Sequence, residues 1–551
     1  MNLPDTFSYP LTFFDQSIQS LQFDKKNRFI VIGYDHHGNE NTQLYVMQKH
    51  GGEIKPLRTQ EGDQHIVSSL SKDGKKLYYS STKGNKMFLN SYCYDMDTGE
   101  EDLILEGDGA RTYLIEISPE KKSFMYIKTY SNTHTVAYVQ YDNNKRVLLT
   151  PSSAIQHNVF GAVYVSEEII YLITNYDADS TYLASFNLAT NEFSKCLSLE
   201  NESFSTIKYD KQRNSLYLTT SSGIEDSLYQ FDLLKKDHKE ISTPISIFQK
   251  LEISKSGDIF LLGKSATKPS NIYQKQFNCS EWKELTYFRV PGIKEELIEP
   301  EVFTYSSFDG LEIEALYYKG NEEISNGHLI LWPHGGPQAS ERKMFSLLFQ
   351  FLLNQGYSIF APNFRGSTGY GAKFSQMVEG DWGDGPRLDI IHGIEWMIER
   401  GYADREKLLL MGKSYGGYMT LLLAGRHPDY FKAGIDMFGP SNLFTLIESV
   451  PDAWKPMMKK WIGDPDENKD RLIDHSPITY INGMKMPLLV IQGANDPRVV
   501  KAESDQIVNA LQEKGIDVEY LVLEDEGHGF SKKENEMKVY RKILEFFDRF
   551  I

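Results

Sequence analysis

The stretch KLLLMGKSYGGYMTLLLAGR (407–426) contains three signals in a row: an apolar β-rich run, the pattern G-x-S-x-G at 412–416, and an apolar helix-like segment. The bare pattern is common in glycine-containing turns. Here the run 407–411 precedes it and the helical segment 416–426 follows it, so Ser414 falls on a tight turn at the end of a strand. Such a turn strains the serine backbone. The flanking glycines are needed because side chains there would collide with neighbouring main chain.

Reading outward, further apolar runs occur at HLILWPHGG (328–336), YSIFAPNFRG (357–366), FKAGIDMFG (431–439), MPLLVIQGAND (486–496) and DVEYLVLEDEGHGF (517–530). Helix-like segments lie between them at 387–400, 501–514 and 535–550. Continuous β-rich runs alternating with amphipathic helices imply a mostly parallel sheet covered on both faces. The hairpin VFTYSSFDGLEIEALYY (302–318), with Asp309-Gly310 at its turn, precedes them. The expectation is an α/β-hydrolase domain over 291–551.

Residues 1–290 have a different texture, rich in Tyr, Ser, Thr, Asn and Lys and poor in helical periodicity. A polar turn leading into a β-rich run recurs at FDKKNRFIVIGY (from Phe23), SKDGKKLYYSS (Ser71), SPEKKSFMYIK (Ser118), VSEEIIYLIT (Val165), DKQRNSLYLTT (Asp210) and SKSGDIFLLGK (Ser254). These anchors are spaced 44–48 residues apart. Four short strands per period of this length mark a β-propeller blade, whose sheet must stack on its neighbours to bury both faces. Six blades fit; a degenerate seventh at the seam and a β-sandwich remain the alternatives.

A serine hydroxyl needs a base, and the base an orienting acid. In an α/β hydrolase they follow in the order Ser, Asp, His. Asp496 ends the run LLVIQGAND and His528 follows the run YLVLED, so both sit at carboxyl ends of strands beside Ser414. The oxyanion donors expected are the backbone N–H groups of Tyr415, next to the nucleophile, and of Gly336 in HGGP (334–337). His334 reads as structural rather than as a second base. Trp454 and Trp461 are candidates for a specificity pocket or for core.

Acidic residues exceed basic ones, 76 against 59, for a formal charge of −17, which disfavours nucleic acid and anionic membranes as partners. Three cysteines, Cys93, Cys196 and Cys279, form no disulfide framework. No secretory signal or membrane-length apolar run is read, so the location expected is cytoplasmic. No cofactor is expected. The pair His36-His37 is read as lying on opposite faces of a strand, a poor metal-chelating geometry.

The motifs together resemble the prolyl oligopeptidase family of serine peptidases: HGGP (334–337), NFRGSTGYG (363–371), GDWG (380–383), GKSYGGYMT (412–420), FKAGID (431–436), NDPRV (495–499) and GHGF (527–530), behind a propeller. The resemblance covers nearly the whole chain. It implies Ser414 as nucleophile, Asp496 as orienting acid, His528 as general base, and Arg498 as a ligand for a substrate carbonyl, the alternative for Arg498 being a surface ion pair. Dipeptidyl aminopeptidases of this family grip a free amino terminus with a glutamate pair in a propeller insertion. Glu100-Glu101 and Glu167-Glu168 have no insertion around them and are read as solvated, which points to the acylaminoacyl-peptidase-like branch. The function expected is hydrolysis of short or N-acylated peptides through an acyl-enzyme, with the propeller restricting substrate size. An esterase or amidase acting on a peptide-like metabolite, a dipeptidyl aminopeptidase and a non-enzymatic scaffold are the rivals. Homo-oligomerisation stays open.

Overall fold

The computed structural model describes residues 9–290 and 297–551. The boundary expected between 290 and 291 adjoins residues outside the described set. Upstream of it, six four-stranded antiparallel sheets, each of four consecutive strands, span 18–58, 65–105, 111–148, 159–197, 203–240 and 247–284. These are six propeller blades, and no seventh occurs among the described residues.

The period seen in the sequence has a local cause. Each anchor lies at the turn from the first to the second strand of a blade, where one Ser or Asp side chain accepts a backbone N–H from the turn. Asp24 accepts from Arg28 (3.2 Å), Ser71 from Lys76 (2.9 Å), Ser118 from Lys122 (3.0 Å), Ser166 from Ile169 (3.0 Å), Asp210 from Gln212 (3.0 Å) and Ser254 from Asp258 (2.9 Å). Side chains of this kind satisfy turn donors that no ladder can reach.

Between blades the packing is apolar. Val31 and Leu44 of blade 1 meet Leu77 and Tyr79 of blade 2, and comparable clusters join each blade to the next as far as Tyr217 and Leu228 of blade 5 against Leu251 and Leu261 of blade 6. Among the described residues no apolar cluster, hydrogen bond or ion pair joins blade 6 to blade 1. Instead Leu11 and Phe14 cover Ile30, Ile32, Tyr34 and Met47 on the free face of blade 1, with the Phe14 and Tyr34 rings 4.6 Å apart.

The carboxyl-terminal domain is built on eight strands: β1 (Glu301–Ser306), β2 (Glu312–Tyr318), β3 (Leu329–Leu331), β4 (Ser358–Pro362), β5 (Leu408–Lys413), β6 (Gly434–Met437), β7 (Leu488–Gly493) and β8 (Val518–Leu523). Their order in the sheet is β1-β2-β4-β3-β5-β6-β7-β8, with β2 antiparallel to its neighbours and β3 to β8 parallel. Alternate residues serve opposite faces. Leu408, Leu410, Leu488 and Val490 enter one core, Leu409, Met411, Leu489 and Ile491 the other, so the strands must read as unbroken apolar runs. This is the α/β-hydrolase arrangement. Among the described residues no helix is long and apolar enough to cross a membrane.

The loop between the second and third strands of each blade faces this domain. Asn132 Nδ2 of blade 3 donates to Gln338 Oε1 (2.9 Å), Asp179 of blade 4 accepts from Lys373 N–H (2.7 Å), and Gly223 N–H of blade 5 donates to Gly369 O (2.9 Å). In blade 1 the contact is backbone on backbone. A Cβ on Gly38, whose φ is +77°, would stand 2.4 Å from Gly527 N, beside His528. His36 and His37 lie in this loop and not on a strand, so the expected opposite-face geometry does not apply. His36 Nε2 meets Tyr45 Oη at 3.1 Å and His37 Nδ1 meets Lys532 Nζ at 3.2 Å.

Under the helix after β5 lies a fully buried acid, Asp436 of β6. Its Oδ1 accepts from Gly439 N–H (2.9 Å), while Oδ2 has no partner among the described residues. Burial pushes its pKa up to about 8, so the protonated form is the one the fold accommodates.

These contacts carry two expected outcomes. Gly38→Ala should cost about 1–3 kcal/mol through strain at positive φ and the clash with Gly527, read as a lowered Tm. For Asp436, a folded pKa above the unfolded value of 3.8 means that its contribution is intact below about pH 4 and lost as pH rises towards 8. Asp436→Asn should therefore gain stability relative to wild type between pH 5 and 8, on the order of a few kcal/mol, in thermal unfolding scans across that range.

Candidate active site

Ser414 stands at the end of β5 with φ 58° and ψ −123°, the strained conformation expected of the elbow. Its N–H is held by Met437 O (2.9 Å), and the helix Tyr415–Arg426 starts at the next residue. The turn closes only because main chain packs on main chain: a Cβ on Gly416 would lie 2.1 Å from Pro333 O.

Loops after β7 and β8 bring the other two residues to the same edge. His528 Nε2 lies 2.8 Å from Ser414 Oγ, and Nδ1 lies 2.6 Å from Asp496 Oδ2. A carboxylate only accepts, so Nδ1 carries the proton and Nε2 is free to receive one from the serine. Asp496 is buried, and its Oδ1 is fixed by the N–H groups of Arg498 (2.9 Å) and Val499 (3.0 Å). Phe438 packs on the imidazole, ring centroids 4.7 Å apart.

The two expected oxyanion donors differ in how they are held. Tyr415 is the first residue of its helix, so its N–H has no intrahelical acceptor. Its buried phenol donates to Trp382 O (2.5 Å), which gives the GDWG segment a physical role that the sequence left unassigned. The HGGP loop runs beside the nucleophile, since a Cβ on Gly335 would stand 3.5 Å from Ser414 Cβ. Gly336 N–H has no intramolecular acceptor among the described residues. His334 is buried, with Nδ1 2.8 Å from Gly335 O, Nε2 2.8 Å from Ser367 Oγ, and its ring stacked on Phe364 at 4.2 Å. Burial lowers its pKa to about 4, so it is a neutral strut for the loop.

Arg498 reaches across the domain boundary. Its Nε donates to Glu40 Oε1 of blade 1 (2.6 Å) and its guanidinium lies 5.9 Å from the Trp454 ring, leaving both Nη groups without a partner among the described residues. The ion pair expected as the alternative role is present. Trp454 and Trp461 meet edge to face, ring centroids 6.2 Å apart, and line, together with Gly336, Tyr113 and Tyr130, a cavity of about 330 Å3 between the domains. Glu101, read from sequence as solvated, is drawn into a cluster with Arg58, Lys83 and the Tyr79 hydroxyl because blade 1 packs against blade 2 and brings three donors to one carboxylate. Glu100 and Glu168 are exposed, and Glu167 accepts a backbone N–H from Glu120. Among the described residues no group of three or more His, Cys, Asp or Glu is placed to hold a metal ion.

Residues 343–551 match the sequence profile of the prolyl oligopeptidase family. The chain is 43% identical over 224 residues to dipeptidyl aminopeptidase BIII of Pseudoxanthomonas mexicana, an alignment covering 40% of this chain and 32% of that protein. It is 28% identical over 345 residues to the acylamino-acid-releasing enzyme of Arabidopsis thaliana, covering 59% of this chain and 44% of that one. The chain thus spans a third to less than half of the length of these curated relatives. A puromycin-hydrolyzing peptidase of Mycobacterium tuberculosis superposes with a TM-score of 0.81 over 95% of this chain and 84% of its own, at 18% identity, a likeness of fold. The elbow, the triad order and the profile match all fall in the same segment: it is residues 343–551 that match the prolyl oligopeptidase family.

Proposed function

We propose that the chain is a serine peptidase that hydrolyses short or N-acylated peptides through an acyl-enzyme. The observation that carries this reading is the relay Ser414–His528–Asp496 at 2.8 and 2.6 Å. Ser414 attacks the scissile carbonyl as His528 Nε2 takes its proton, and Asp496 stabilises the imidazolium that forms. The N–H groups of Tyr415 and Gly336 hold the oxyanion. His528 then protonates the leaving amine, and water, deprotonated by the same nitrogen, releases the acyl group. The free Nη groups of Arg498 offer donors to a carbonyl of the bound peptide. With propeller loops forming one wall of the cavity, the site accepts flexible short chains and excludes folded proteins.

A second reading, a dipeptidyl aminopeptidase, is favoured by Glu40: a propeller carboxylate at Arg498 whose Oε2 has no partner among the described residues, chemistry suited to a free α-amino group. An esterase or an amidase for a peptide-like metabolite would use the same oxyanion chemistry.

Ser414→Ala should abolish turnover and labelling by a fluorophosphonate probe, and undiminished labelling would refute the nucleophile. Asp496→Asn should lower kcat by roughly 10³–10⁴, because the imidazole then loses the partner that fixes its tautomer. Steady-state rates on acyl-amino-acid anilides, free-amino dipeptide anilides and simple esters should favour the acylated forms. Rapid turnover of the free dipeptidyl forms alone would select the second reading.

A further inference from the structure

Blade 3 begins with Arg111, whose side chain lies in the layer between the domains and borders two cavities. One is the cavity of about 330 Å3 shared with Gly336 and Trp454. The other, of about 210 Å3, is shared with Lys86, Trp454 and Pro497. The Arg111 guanidinium has no carboxylate partner among the described residues. Nη2 donates to the neutral Gln64 Oε1 (2.7 Å), Nε is buried without an acceptor, and its plane lies 5.3 Å from the Tyr113 ring.

Two other arginines at this boundary are neutralised: Arg342 by Asp226 and Arg498 by Glu40. The acids on the smaller cavity are also committed, Glu40 to Arg498 (2.6 Å) and Asp452 to Lys455 (2.9 Å). Lys86 has no carboxylate within ion-pair distance among the described residues, though its charge helps to lower the pKa of Asp452 on the same cavity. A cation drawn partly out of water without a counter-charge is costly, and a planar guanidinium matches a carboxylate in two parallel hydrogen bonds. With a net charge of −17 the chain's overall field repels acids, so attraction of an acid to this cavity has to come from local groups.

We propose that Arg111, with Lys86 on the same cavity, forms a subsite for a carboxylate of the substrate, so that preferred peptides carry an anionic group close to the bond that is cut. The inference rests on the peptidase reading of the Ser414 site. The carboxylate comes either from a free carboxyl terminus or from an Asp or Glu side chain.

The test is calorimetric binding to the full chain carrying Ser414→Ala, which needs no turnover. Three probes are compared: an N-acetyl dipeptide acid, its carboxyl-terminal amide, and the same amide with a glutamate side chain. The acid, the glutamate amide or both should bind about tenfold more tightly than the neutral amide. Whichever does so names the source of the carboxylate. Arg111→Met in the same background should bring the ratio to about one, and Arg111→Lys should restore part of it. Arg111→Gln, which keeps a polar end for Gln64, should level the three affinities in the same way and replaces the methionine variant where that one does not fold. Equal binding of all three probes, or a preference that survives removal of the guanidinium, would overturn the subsite. Failure of Ser414 to react with a fluorophosphonate would overturn the peptidase reading and leave the acid–amide comparison standing.

Discussion

The hydrogen bond between Ser414 and His528 exists because three loops, the first and last of them 114 residues apart along the chain, end at one edge of one sheet. Parallel strands impose this. Every carboxyl end from β3 to β8 points the same way, so the loop after each strand is delivered to a common rim. The elbow then sets the tolerance. With Gly416 pressed on Pro333 O, a side chain at either glycine would lift Ser414 away from the imidazole. Asp436 lies fully buried beneath the same helix, where burial pushes its pKa up.

The rim is only half of the site. The other half is supplied by the loops that the blades turn towards it, and the two halves meet through named contacts: Glu40 on Arg498, Asn132 on Gln338, Gly38 on Gly527. Gln338 lies two residues after the oxyanion candidate Gly336, and Gly527 lies one before His528. The propeller therefore bears directly on the loops that carry Gly336 and His528.

Much of this was legible in the sequence because its causes are local. The blade period shows because each first turn needs a Ser or Asp to accept its N–H, and five of these turns also place a residue at positive φ, namely Asn27, Gly74, Lys121, Asn214 and Gly257. The hydrolase strands show because both their faces are buried. The helices Leu347–Leu353, Leu443–Ser449 and Lys455–Trp461 did not show, since seven residues are too few for a helical period to stand out. The ties of Glu40 to Arg498 and of Glu101 to Arg58 were out of reach for another reason. Nothing along the chain says that residues 40 and 498 are neighbours; only the docking of one domain on the other makes them so.

Among the described residues the ring of blades is not stapled shut by its own strands, and that has a mechanical consequence. Its two ends are gripped separately by the hydrolase domain, blade 1 through Glu40 and blade 6 through Thr267 on Glu299 and Ala266 O on Gln350. The catalytic domain thus acts as the clasp of a bracelet. The ion pair of Glu40 with Arg498 lies at that clasp, so a widening there would have to stretch or drag the contact that holds the Arg498 guanidinium.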